Sequence, residues 1–337
     1  FEDKIFDNLE FDSSGNNKTY STNVSETVQV NNLILSGNNI ISKFGFNHNF
    51  KTILKNVNSD GKNSSKFKEK NQSEILSMIT YDAGIPLIKE SNNFNNLLTP
   101  KMSLRFSPND SKNLKDESRS LNSNNIFSLN RIGFNETIEG GTSLTMGLDF
   151  EKKNNESNDL FFGSKLATVF REEINENLPV SSTLGKKQSD FVGEVNFNPN
   201  KNLIFDYNYS LDNDLDEVNL HEFKNTFKVN NFVNTFTFYE ENNLIGDKSY
   251  YENEFKYNFN QNNSLSFKTR NNKKDNLTEF YNLVYEYKND CLTASLRYNK
   301  EYYTNNTLKP SEDLFFNITL IPLGSTQTEN IVDLIDK

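Results

Sequence analysis

A chain of 337 residues with 29 Phe and 14 Tyr, but only 14 Gly and 7 Pro, carries too much aromatic surface and too few breakers to be a flexible linker protein. Its 36 basic against 46 acidic side chains leave a net charge of −10, which excludes general binding to a phosphate backbone and removes nucleic acid as an expected partner. Mean hydropathy is −0.73, yet much of that polarity is asparagine, which has no charge, so apolar surface can still be buried or face lipid.

From the first residues onward the dominant signal is a period of two. Sixteen segments alternate, approximately 3–11, 18–31, 41–55, 73–84, 99–107, 138–151, 160–171, 189–198, 201–211, 217–229, 231–241, 248–259, 263–271, 277–289, 291–303 and 311–321. Side chains on a strand point alternately to opposite faces, so Leu203, Phe205, Tyr207 and Tyr209 line one face, with Asp206, Asn208 and Ser210 on the other. The same holds for Leu292, Ala294, Leu296 and Tyr298, and for Leu314, Phe316, Ile318 and Leu320. Helical spacing is sustained nowhere, and no apolar run is long enough for a membrane-spanning helix. Many segments reach the roughly 9–11 residues that a strand tilted by about 45° needs to cross a bilayer. Soluble strands cluster near five or six.

The connections sharpen this. From residue 189 on, tight turns at Asn198-Pro199-Asn200, Asn230-Asn231, Asn260-Gln261-Asn262 and Asn289-Asp290 alternate with longer links near 212–216, 242–247, 272–276 and 304–310. Asparagine suits tight turns because it tolerates positive φ. One rim of tight turns and one of longer loops is the pattern of an outer-membrane barrel, with the tight turns on the periplasmic side. Carried backwards, the alternation puts 56–72, 108–137 and 172–188 on the long-loop rim. The fold class expected is all-β: an antiparallel transmembrane β-barrel, of which this chain is a C-terminal part with about sixteen strands, incomplete by itself. A soluble β-sandwich or a repeat adhesin gives similar alternation and is the alternative. The chain begins at Phe1 and already alternates there, so it is read as a fragment with any export signal upstream.

Chemistry-bearing constellations are scarce. His48 and His221 are the only histidines and lie far apart, and no metal-ligand spacing, Ser/His/Asp set or phosphate-cradling glycine loop is present. No catalytic residue, metal or cofactor is expected. The acidic run Asp212, Asp214, Asp216 and Glu217 reads as a solvated loop, since it lacks the glycine and terminal glutamate of a calcium loop. Tyr239, Tyr250, Tyr251, Tyr302 and Tyr303 fall near strand ends and are expected in an interfacial aromatic girdle, or in cross-strand aromatic pairs. Cys291 is the sole cysteine, so no disulfide forms within this chain.

Three stretches, in order, resemble the C-terminal barrel domain of the LptD family of lipopolysaccharide-assembly proteins. The first is Leu98-Thr99-Pro100-Lys101 with Met102, Leu104 and Phe106 alternating after it. The second is Asn125–Asn135, containing Asn130-Arg131-Ile132-Gly133-Phe134, then Ile138-Glu139-Gly140-Gly141 and the strand Thr142–Phe150. The third runs from Tyr285 through Cys291 to Tyr298, with the last strand Phe315–Leu320 and Pro322-Leu323-Gly324. The similarity spans roughly residues 75–325.

The resemblance implies residues 1–325 as barrel and 326–337 as a periplasmic tail, with the N-terminal jellyroll and first barrel strands outside this chain. It implies transport without catalysis, in the cell outer membrane. Lipopolysaccharide would leave sideways to outer-membrane lipid through a seam formed in part by the last strand: Leu314, Phe315, Phe316, Asn317, Ile318, Thr319, Leu320 and Ile321. Implied partners are an LptE-like lipoprotein in the lumen and an LptA-like periplasmic bridge reached through the jellyroll. Cys291 would form a disulfide to the N-terminal region. Asn130, Arg131 and Phe134 would belong to a luminal loop that gates or meets a partner, with Arg131 free to pair with a luminal carboxylate. A generic porin or channel, and a surface adhesin, are the alternatives.

Overall fold

The computed structural model describes residues 6–20, 23–64, 67–242, 247–302, 310–320 and 324–327. In chain order the strands are β1 Phe6–Thr19, β2 Ser25–Gly37, β3 Ile40–Ile41, β4 Asn47–Lys62, β5 Gln72–Gly84, β6 Leu87–Glu90, β7 Phe94–Ser107, β8 Gly141–Asn154, β9 Leu160–Arg171 and β10 Phe191–Asn200. They continue as β11 Leu203–Leu211, β12 Val218–Val229, β13 Phe232–Glu241, β14 Lys248–Asn258, β15 Asn263–Asn272, β16 Leu277–Lys288, β17 Leu292–Glu301, β18 Ser311–Leu320 and β19 Gly324–Gln327. The only helical piece among the described residues is one turn at Val180–Ser182. The strand pairings among the described residues are antiparallel, so the chain adopts the all-β, antiparallel, long-stranded fold of the transmembrane-barrel class.

Setting aside the short β3, β6 and β19, the long strands correspond one to one with the sixteen alternating segments. The first three are displaced. Segments expected at 3–11, 18–31 and 41–55 are Phe6–Thr19, Ser25–Gly37 and Asn47–Lys62. Asn16-Asn17 and Asn31-Asn32 lie inside β1 and β2, and Asn31 and Asn32 bond across strands through their side chains. Ser13 Oγ donates to Asn31 Oδ1 at 2.7 Å, and Asn31 Nδ2 donates to Asn56 Oδ1 at 3.1 Å. The same device recurs between Asn234 and Asn253 at 2.6 Å and between Asn282 and Asn299 at 2.5 Å.

The chain divides into two compact units. In the first (1–194, 208–219 and 243–245), β1, β2, β4, β5, β7, β8 and β9 pair each with the next. One face is covered: Ile53, Lys55, Val57 and Ser59 on β4, Leu76, Met78 and Thr80 on β5, Ser103 and Arg105 on β7, Ser143 and Thr145 on β8, and Ala167, Val169 and Arg171 on β9 are buried. The alternate residues Phe50, Leu54, Ile75, Ile79, Met102, Leu104, Phe106, Met146, Leu148 and Phe170 are exposed, Ile75 at 73 %. Apolar side chains outside and buried Lys and Arg inside invert the arrangement of a water-soluble protein. Lipid as the outer solvent accounts for it.

The second unit (195–207, 220–242 and 246–337) includes β13 to β18 as successive pairs, with β19 on the far edge of β18. Its exposed face carries Phe227, Tyr251, Phe255, Tyr257, Leu283, Tyr285, Leu296, Phe316 and Leu320. The opposite face carries the pairs Arg270–Glu252 at 2.7 Å and Lys268–Glu252 at 2.8 Å. Tyr239 and Tyr250 sit on this polar face, stacked at 4.9 Å, and Tyr239 donates to Glu241 at 2.7 Å. Only Tyr251 of that trio stands with the apolar face, because strand alternation turns Tyr250 and Tyr251 to opposite sides. Tyr303 lies outside the described residues.

Leu148 lies mid-strand on the exposed face. Leu148→Arg should cost about 2–4 kcal/mol if that face meets hydrocarbon. A water-facing position would change by no more than about 0.5 kcal/mol. Denaturant unfolding from lipid bilayers measures the difference.

Candidate functional site: a packed plug and an edge strand

The longest connection, 108–140 between β7 and β8, is a folded insert rather than an open loop. No strand forms in it. Asn122 Oδ1 accepts from the backbone N–H of Asn124 and of Asn125, both at 3.0 Å. Gly133 adopts φ +80°, donates to Asn130 Oδ1 at 3.2 Å, and has the Arg119 guanidinium where a Cβ would stand. Any other residue there would be strained and would displace Arg119 from the Arg131 carbonyl, to which Arg119 Nε donates at 2.9 Å.

The insert's apolar residues Leu114, Leu121, Ile126 and Ile132 pack with Leu178 and Leu184 of the 172–190 link, over Ala167, Val169 and Val192. Ile138 joins a second cluster with Val30, Ile53, Val57, Leu76 and Met78. Together the two links cover the inner face of the first unit's strands.

At the centre of the cover is a buried ion cluster. Arg131 Nε and Nη2 donate to the two oxygens of Glu139 at 2.6 and 2.5 Å. Arg131 also donates to Thr145 Oγ1 at 2.6 Å, Ser143 Oγ at 2.9 Å and the Ile126 carbonyl at 3.3 Å. Arg171 donates to Glu139 at 2.6 Å and to the Gly140 carbonyl. Arg105 lies 3.8 Å from Glu139 and donates to the carbonyls of Ser128 and Leu129 at 2.7 and 3.3 Å. Side-chain exposure is 0 to 4 % for all four. Three guanidiniums around one carboxylate tie the insert to β7, β8 and β9 at once. The network is worth most when complete, because removing one member strands buried charge.

The insert residues singled out from sequence divide by role. Arg131 is fully buried, and its carboxylate partner comes from its own insert rather than from a strand, because β8 begins at Gly141 and not at 138. Asn130 is exposed and closes the local turn, donating to Asn135 at 3.1 Å. Phe134 is partly buried against the apolar cluster and lines a cavity of about 510 Å³ with Val28 and Val30. Glu139, Arg105 and Arg171 escaped sequence reading. Their signal was placement: each arginine ends a strand's inner face just before a long link, in a chain sparing of arginine.

On the edge strand, Leu314, Phe316, Ile318 and Leu320 lie opposite Tyr298, Leu296, Ala294 and Leu292 on the apolar face, while Phe315, Asn317 and Thr319 lie opposite Arg297, Ser295 and Thr293. Ile321 lies outside the described residues, as does most of the expected tail; Thr326 and Gln327 belong to β19. β19 pairs with Asn317 to Leu320. Cys291 is exposed and free, and its N–H donates to Asn289 Oδ1 at 3.0 Å in the tight turn before β17. It is remote in sequence from the plug. Among the described residues no group of three or more His, Cys, Asp or Glu could hold a metal.

The family profile described as LptD, LPS transport system D, matches residues 8–251. No curated protein matches the chain. Among solved structures, an engineered variant of Rh. blastica porin is 9 % identical with a TM-score of 0.40, covering 95 % of this chain and 100 % of the porin. Another Rhodopseudomonas blastica porin variant is 10 % identical with a TM-score of 0.38 at the same coverage.

Burial by itself would raise the Glu139 pKa, but Arg131 foremost, with Arg105 and Arg171, holds it well below the usual carboxylate range. A depressed folded pKa contributes stability that is complete above the unfolded value of about 4.3 and is lost as pH falls below it. Proteolysis within 108–140 should therefore stay constant from neutral pH to about 5, then rise below about 4. Glu139→Gln, leaving three buried cations unpaired, should destabilise by about 3–5 kcal/mol and expose the insert to protease at neutral pH.

Proposed function

The chain belongs to the LptD family of LPS transport proteins, and from that premise we propose that it forms part of the outer-membrane translocon that inserts lipopolysaccharide into the outer leaflet. The observation that carries this reading is the inverted sheet: an apolar outer face, and an inner face that holds Lys55, Arg105 and Arg171 buried under a packed insert. An amphipathic cargo needs both solvents, acyl chains in lipid and sugars in water. A wall with opposite faces supplies them on either side of one sheet. The protein acts by binding and release and carries out no chemistry of its own.

In this reading lipid leaves beside β18. A sheet with every edge paired cannot open sideways, so lateral exit needs a strand whose far edge is weakly held. In β18, residues 317–320 are held by a four-residue strand of the chain's own C-terminal end. The upstream jellyroll receives cargo from the periplasmic bridge, a lipoprotein stands in the lumen, and Cys291 at the tight-turn rim bonds to the N-terminal region. A general porin is disfavoured by the insert, whose buried apolar residues and ion cluster fill space that a diffusion channel leaves open.

Photo-crosslinkers placed singly at 314, 316, 318 and 320 in the complete protein should yield lipopolysaccharide adducts. Adducts confined to β13–β15 would remove the seam from β18. For the tether, thiol labelling of the non-reduced full-length protein should leave Cys291 unlabelled; a labelled Cys291 would mean no disulfide there.

A further inference from the structure

Beneath the plug, the inner face of the first unit carries a row of charges that alternate in sign. In strand order it reads Lys51 on β4, Asp82 on β5, Lys101 on β7, Asp149 on β8, Lys165 on β9 and Glu194 on β10. Each shares parity with buried inner-face residues of its own strand: Lys51 with Ile53 and Lys55, Asp82 with Thr80, Lys101 with Ser103 and Arg105, Asp149 with Thr145, Lys165 with Ala167, and Glu194 with Val192. Three contacts close across strands: Lys51–Asp82 at 3.4 Å, Lys101–Asp149 at 2.6 Å and Lys165–Glu194 at 3.0 Å. Asp149 also stands directly opposite Lys165 in register, so it borders two lysines. The row meets the plug at two points. The Lys101 ammonium lies 4.3 Å from the centroid of the Phe127 ring, and Ser123 Oγ donates to Glu194 at 2.7 Å. A cavity of about 400 Å³ opens against Lys51, Asp82, Lys101 and Phe127.

These pairs differ in kind from the cluster above them. Glu139 and its arginines are sealed, whereas the row's side chains are partly accessible, Lys51 at 37 % and Lys101 at 26 %. A partly solvated lysine–carboxylate pair contributes little, so each ammonium can change partner at little cost. Lysine is a compact point charge that suits phosphate without demanding a fixed approach. Neighbouring lysines of the row are two strand spacings apart, about 10 Å. Carboxylates between them keep the total charge near neutral, so a multiply charged anion is met at several places and trapped at none, as passage requires.

We infer that this row is a docking track for the phosphate groups of a phosphorylated glycolipid, the lysines exchanging their carboxylate partners for phosphate as cargo passes under the plug. The inference rests on the transport reading above and specifies which side chains hold the headgroup. Phosphorylated cargo is favoured over a protein occupant because the row's cations are spaced singly and border an open cavity.

The test uses the full-length protein in detergent micelles with two probes, bisphosphorylated lipid A and the same lipid freed of phosphate. The native protein should prefer the phosphorylated form at least tenfold. The triple variant Lys51→Gln, Lys101→Gln, Lys165→Gln should lose that preference and keep its affinity for the phosphate-free form. Asp149→Asn, which removes the competitor shared by Lys101 and Lys165, should bind the phosphorylated form more tightly, and it remains informative if the triple variant does not fold. Equal loss for both probes, an unchanged preference, or no tightening by Asp149→Asn overturns the track. So does loss of a co-purifying luminal lipoprotein with lipid preference intact, which would mark the row as a protein contact. A native protein that binds both probes equally refutes the track alone. One that binds neither refutes the transport reading as well.

Discussion

Hydrocarbon offers a backbone no hydrogen-bond partner, and the rest of this molecule follows from that constraint. Every strand must satisfy its N–H and C=O groups on its neighbours, so strands are long, antiparallel and joined in chain order. Once the outer face is given to lipid, buried charge collects on the inner face. Lys55 and Arg105 are buried there while Ile75 and Phe106 are exposed. Asparagine serves both demands. It takes positive φ in the tight turn at Asn230 and in the longer link at Asn276, and within strands it forms cross-strand side-chain bonds on both faces.

A polar inner wall creates a second problem, because an open one would be a hole. The long links solve it by carrying their own apolar residues inward. Ile126, Ile132, Leu178 and Leu184 build a small water-excluded core on the wall, and inside it Glu139 gathers three arginines from three places in the chain. Arg131 is supplied by the insert, Arg105 by the strand entering it and Arg171 by the strand entering the second link. One carboxylate thus fastens the insert to the wall. The partly accessible row below has the opposite character, with pairs soft enough to be remade. Rigid closure and exchangeable charge occupy adjacent levels of the same face.

Much of the fold was legible because period two is a local property: each residue's face is set by its neighbours in sequence. The sixteen long strands, the tight turns at 230–231, 260–262 and 289–290, and the apolar alternation of 281–287, 292–298 and 314–320 are all of this kind, whereas the turn expected at 198–200 falls at Lys201-Asn202 because β10 runs to Asn200. The bounds of β1, β2 and β4 were less legible, because the bonds that Asn31 and Asn56 make lie across strands. Tyr239 and Tyr250 were grouped with Tyr251 by position along the chain, whereas pairing register turns them to the polar face beside Arg270.

The site was less legible, for a physical reason. That Arg131 sits in an apolar insert was visible, but its partnership with Glu139, Arg105 and Arg171 joins residues up to 66 positions apart, and no spacing rule encodes it. The alternating row was equally hidden, since one charged residue per strand resembles any solvated position until six strands lie side by side. Sequence by itself determined the strands, their two faces and the solvent each face requires, because alternation needs only nearest neighbours. Only the tertiary structure decided which charges meet, because that depends on register between distant strands and on where a long link folds back to pack.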